Sequence, residues 1–162
     1  PFYTDLLLYR IENTASLPIF SMDFLGNDEG FLYLDGSNAP LTQAKQKNQL
    51  SLREDNIAAY IQFYFFNVIQ EEGEIYPLFK QYPLPELANQ NIHATQQETP
   101  EGTPELELTQ EANGFNVKVT LFYSGTLMQG ELKVSNDGEI SIVTVTPLLG
   151  QNLGSSTSDA WT

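Results

Sequence analysis

The chain has 162 residues, 41% of them hydrophobic and 12% aromatic, with a formal charge of −14 from 21 acidic against 7 basic residues. This length and apolar content support one hydrophobic core without covalent staples, and so acidic a surface disfavours nucleic acid and anionic membranes as partners. With no cysteine there is no disulfide framework, no thiolate nucleophile and no Cys-ligated metal centre, and no run reaches the ~18 apolar residues that span a bilayer.

Residues 1–13 lack the basic start and full apolar stretch of a signal peptide, so a soluble cytoplasmic domain is the expectation. Apolar runs at 6–11 and 19–25, separated by turn formers, predict two strands. Gly26-Asn27-Asp28-Glu29-Gly30 reads as a turn. Residues 31–34 read as a third short strand, closed by Asp35-Gly36. The polar stretch 40–48 is a short exposed helix or a loop.

The next segment carries the clearest period. Ile57, Tyr60, Ile61, Tyr64, Phe65 and Val68 recur at helical spacing, and Ala58, Ala59, Phe63, Phe66 and Ile69 widen the apolar face. A helix over 52–70 is expected, so apolar that it must be covered on more than one side. Ser51 with Glu54 fits a capping box, Glu54 and Asp55 bring negative charge to the first turn, and Glu71-Glu72-Gly73 closes the helix.

Residues 74–80 read as a strand that Pro77 confines to a sheet edge. The proline-rich stretch 81–104 has no apolar period and reads as a surface excursion, with a short helical turn at 86–89. Residues 105–110 alternate as a half-buried strand. Asn113-Gly114 then turns the chain into a meander over 115–149, with turns near Gly125 and at Asn136-Asp137-Gly138. Gly130 in mid-strand predicts a bulge or a close approach, and the change from Ile140/Ile142 to Val143/Val145 predicts another irregularity or a strand buried on both faces. The tail 151–162, rich in Ser and Gly, is expected to be disordered. The fold class is α+β: one domain over 1–150, a curved antiparallel meander sheet packed on one long aromatic helix. Nuclear-transport-factor-like (NTF2-like) cones, cystatin-like sheets and profilin-like sandwiches all satisfy that description.

Several segments together resemble a family of uncharacterised bacterial proteins of about this size. They are Tyr33-Leu34-Asp35-Gly36-Ser37-Asn38-Ala39-Pro40, Leu50-Ser51-Leu52-Arg53-Glu54-Asp55-Asn56-Ile57 running into Tyr60-Ile61-Gln62-Phe63-Tyr64-Phe65-Phe66, Glu71-Glu72-Gly73, and 119–123 with Gly125, Leu127 and Asp137-Gly138. The likeness spans most of 31–140 and departs at Arg53, where the pattern has a helix-capping Thr. It implies kinship and an intracellular setting, and transfers no catalytic residue.

Chemistry is sparse. Asp35-Gly36-Ser37 offers a carboxylate and a hydroxyl, yet Asp-Gly is also what a turn requires. Asn56 is placed to reach that loop from the helix start. His93 is the single histidine, set in the excursion with no nucleophile elbow. Asp23, Asn27, Asp28 and Glu29 lack the alternation of a calcium loop, and no glycine pattern suits a phosphate or dinucleotide. Tyr60 and Tyr64, with Tyr123 opposite, are candidates to line an apolar pocket between helix and meander. With Tyr33, Asp35 and Asn56 they form the candidate ligand-binding set; no catalytic residue, metal ligand or cofactor is assigned. The leading functional expectation is a non-catalytic acidic interaction module that recognises a protein, or a second copy of itself, through a sheet edge or the excursion. The alternative is a small-molecule binding module. A pocket enzyme using Asp35 and a tyrosine ranks last.

Overall fold

In the computed structural model of the protein the described residues are 2–15, 17–47, 50–71, 73–79, 106–123 and 126–148. The excursion at 81–104, with His93, and the tail at 151–162 lie outside them. Among the described residues the architecture is α+β, with antiparallel sheets and two helices.

Three N-terminal strands, β1 (Leu7–Asn13), β2 (Phe20–Asn27) and β3 (Gly30–Tyr33), form a sheet of their own in the order β1-β2-β3. The β2–β3 hairpin turns on Asp28 and Glu29, where the Asn27 side-chain oxygen accepts from the Glu29 amide at 2.9 Å. That is the local backbone mimicry for which Asn is favoured in turns. The polar stretch that follows is helical, α1 (Ala39–Lys47), with Leu41 and Ala44 buried.

The aromatic helix, α2, covers Ile57–Asn67, shorter at both ends than the sequence suggests. Its start is set by Asn56, which folds back on the preceding turn: its Oδ1 accepts from the Arg53 amide at 2.8 Å and its Nδ2 donates to the Ser51 carbonyl at 2.9 Å. The expected Ser51–Glu54 capping box therefore precedes the helix, and the first turn holds no acidic residue. At the other end Val68 leaves helical geometry and bridges Gly36, and the Ile69 amide donates to the Gly36 carbonyl at 2.8 Å. A strand-like pairing with the loop after β3 thus ends the helix before Gly73 can cap it.

The second sheet has the order β4-β6-β7-β8, from β4 (Ile75–Leu78), β6 (Gly114–Tyr123), β7 (Thr126–Ser135) and β8 (Ile140–Pro147). β5 (Glu107–Glu111) pairs with the first half of β6 and β4 with the second half. Pro77 sits in β4, an edge strand, where an absent N–H costs the ladder nothing on the open side. Val117, Val119 and Leu121 of β6 and Leu132 and Val134 of β7 are buried against α2 as the alternation requires. Gly130 is the close approach anticipated: a Cβ there would lie 2.4 Å from Leu121 Cδ1. The β7–β8 register shifts between Glu131 and Leu132, leaving Val143 as the extra residue between Ile142 and Thr144. This bulge accounts for the change of phase after Ile142.

Tyr60 stands at the centre of the core. It is fully buried, and its hydroxyl donates to the Gly138 carbonyl at 2.6 Å, tying the helix to the β7–β8 turn across 78 residues of sequence. Phe2 packs edge-on to its ring at 5.2 Å, and Phe2 also meets Tyr3 and Phe63. An antiparallel bridge from Tyr3 to Leu50 holds this segment in place. The Tyr3 hydroxyl is buried with no hydrogen-bond partner among the described residues.

Candidate functional site

The six residues singled out in the sequence do not form one constellation. Tyr33 is the last residue of β3 and half exposed, its ring turned to solvent beside Phe24 at 5.4 Å. Asp35 lies in an exposed turn. Its Oδ1 accepts from the Ser37 amide at 2.9 Å and the Ser37 hydroxyl at 2.7 Å, and these bonds hold the carboxyl below the usual carboxylate range. The turn reading of Asp35-Gly36-Ser37 is the observed one. It rests on the C-terminal end of α2 through Gly36, whereas Asn56 stands at the opposite end, roughly 16 Å away along an 11-residue helix.

Tyr60 and Tyr64 are neighbours, ring centroids 6.5 Å apart, and both are core. Burial pushes both phenols up; for Tyr64 the nearby Glu139 adds to it. Burial likewise pushes the Tyr3 phenol up to about 12. Tyr123, half-buried, closes the far end of β6 between Ile75 and Thr126. Of two surface concavities, one lies at the C-terminal end of α2 beside β4 and the other on the meander away from α2. The first, about 290 Å³, lies where Phe65, Phe66, Ile75 and Tyr76 meet below the α2–β4 connection. The second, about 440 Å³, is a shallow polar dish along β6 to β8. Both are open to solvent, and neither is lined by any of the six residues.

The acidic turn is equally plain. Asp23 is engaged by Arg10, whose Nε and Nη2 meet its two carboxylate oxygens at 2.8 Å each. The Arg10 guanidinium also stands 5.6 Å from the Phe66 ring centroid, so one bidentate pair joins β1, β2 and α2. Among the described residues no group of three or more His, Asp or Glu side chains is placed to hold a metal ion.

What the structure assembles instead is an aromatic surface. The β1–β2–β3 register puts Leu7, Tyr9 and Ile11 of β1, Phe20, Met22 and Phe24 of β2, and Phe31 and Tyr33 of β3 on one side of the N-terminal sheet. Tyr9, Phe24 and Tyr33 form a single row across all three strands, and Phe31 meets Tyr9 edge-on at 5.3 Å. Arg10, Glu12, Asp23 and Leu25 point the other way, and Leu25 enters the core. Charges therefore sit on the inner side and aromatics on the outer, the reverse of the usual polar-out alternation. Leu7, Tyr9, Ile11, Phe20, Phe31 and Tyr33 are each between 39% and 63% exposed, and Leu17 and Ile19 at the hairpin tip extend the surface. No charged residue belongs to this face, in a chain that carries −14.

Apart from Tyr33, sequence reasoning missed this set. The signal was present in Phe20-Ser21-Met22-Asp23-Phe24, a strict alternation, but alternation marks a face without saying whether anything covers it.

No helix among the described residues is long and apolar enough to cross a membrane. Comparison with protein-family models, with curated proteins and with solved structures found no significant match.

Proposed function

We propose that this chain is a non-catalytic interaction module that docks a protein partner on the outer face of its N-terminal sheet. The observation that carries this reading is the uncharged aromatic face of Leu7, Tyr9, Ile11, Phe20, Phe31 and Tyr33 on an otherwise acidic molecule. Six large side chains at that exposure present on the order of 600 Å², close to the roughly 800 Å² per partner of a standard interface. Contiguous apolar patches of this size on soluble proteins mark sites of association. The partner's matching surface is apolar at its centre; the surrounding acidic surface repels acidic competitors and sets the orientation of approach.

Phe31→Asp tests the reading. Phe31 is 62% exposed, so the substitution should leave thermal unfolding within about 0.5 kcal/mol of the parent. Placed in the contact, an aspartate should weaken association by at least ~30-fold, the scale of a hot-spot loss. Affinity for the partner that co-purifies from the native host, measured by titration calorimetry, gives the answer. Unchanged affinity in the folded variant would overturn the reading.

A further inference from the structure

Among the described residues β1 has one neighbour, β2, and its other edge is open. The strand is seven residues long, contains no proline and keeps its register with β2 throughout. Such an edge is a template for strand addition. We propose that β1 pairs antiparallel with β1 of a second copy about a two-fold axis at Ile11, joining two three-stranded sheets into one of six strands. This concerns the edge and not the outer face, so it stands or falls separately from the docking of a partner.

The charge pattern selects both the occupant and the register. A two-fold axis normal to the sheet pairs only residues on the same face, so each possible axis falls on a residue. An axis at Arg10 sets that arginine against itself. An axis at Glu12 sets that glutamate against itself. Like charges directly opposite are destabilising. An axis at Tyr9 faces Arg10 with Leu8. The axis at Ile11 places Arg10 opposite Glu12 of the second copy twice over, with Tyr9 opposite Asn13 and Ile11 opposite itself. Among the described residues Asp23 engages Arg10 through Nε and Nη2, which leaves Nη1 for a carboxylate across the edge. The strand is thus complementary to its own reverse in one register, which an arbitrary partner strand is not. The joined sheet also makes the two outer faces continuous through Tyr9 and Ile11 of each copy.

A chain without cysteine makes the test direct. Opposed Cα atoms in an antiparallel pair are about 4.5–5.5 Å apart, within reach of a disulfide. Ile11 is 54% exposed, so Ile11→Cys leaves the core intact. On mild oxidation at micromolar concentration it should convert to a covalent dimer. Tyr9→Cys and Asn13→Cys should each stay monomeric alone and cross-link when mixed. Glu12→Arg, which sets arginine against Arg10, should weaken self-association by tenfold or more in sedimentation equilibrium of the cysteine-free chain. Failure of Ile11→Cys to cross-link, equal cross-linking of all three variants alone, or an unchanged association constant for Glu12→Arg would each overturn the proposal. None of these readouts depends on whether Phe31→Asp alters partner binding.

Discussion

Replacing Tyr60 by alanine is expected to lower the unfolding free energy by about 3–5 kcal/mol, the range for deleting a buried aromatic side chain. Two losses combine. The ring is fully buried among Phe2, Phe63 and Tyr64, and its removal leaves a cavity that a β-sheet on one side and a helix on the other cannot close. The hydroxyl is the donor to Gly138, so the turn between β7 and β8 loses its tie to α2 and leaves a buried carbonyl unpaired. Against a typical total of roughly 5–15 kcal/mol this is about a fifth of the stability or more. Tyr60→Phe separates the contributions: it keeps the packing and should cost about 1–2 kcal/mol. Urea denaturation of the three proteins measures both. A loss below about 1 kcal/mol for Tyr60→Ala would mean that Tyr60 is not the keystone of this core.

Gly114→Ala is expected to cost about 3 kcal/mol or more, although it adds a single methyl group. Gly114 opens β6 with φ +149°, and a Cβ there would lie 2.0 Å from the Val134 carbonyl oxygen and 2.8 Å from Ser135 Cα. Both obstacles are backbone of the paired strand, so no rotamer change relieves them, and the β6–β7 register has to move at its first pair. Gly30→Ala is the matching control. Its φ is +155°, yet nothing lies within 4 Å of the new carbon, so only the backbone penalty of about 1 kcal/mol remains. Denaturation midpoints that rank the two substitutions in the other order would contradict this packing of β6 on β7.

The meander was legible because β6 and β7 keep period two with one buried face, so Val117, Val119, Leu121, Leu132 and Val134 report the core directly. Its irregularities were legible for the same reason: Gly130 and the phase change at Val143 break a pattern that is otherwise regular. The ends of α2 were not. Ser51-x-x-Glu54 is as compatible with a turn as with a cap, and Asn56 decides between them by bonding backward. At the other end a bridge to Gly36, 32 residues earlier, overrides the local preference for a glycine cap. Among the site residues, tyrosines at helical spacing read the same whether they line a pocket or fill a core; Tyr60 and Tyr64 are core. The outer face escaped notice for the opposite reason. Apolar strands are assumed to be covered, and Tyr9, Phe20 and Phe31 are not.

The most direct test of the outer face as the contact surface is hydroxyl-radical footprinting of the protein, first in the assembly isolated from its host and then as the separated chain. Side chains that react in the free chain and fall silent in the assembly mark the contact. The expected result is loss of oxidation at Leu7, Phe20, Phe31 and Tyr33, with Phe122 and Val143 on the second sheet unchanged. Equal oxidation of Phe20, Phe31 and Tyr33 in both states, with protection at Phe66 and Tyr76 or along the second sheet, would contradict the account.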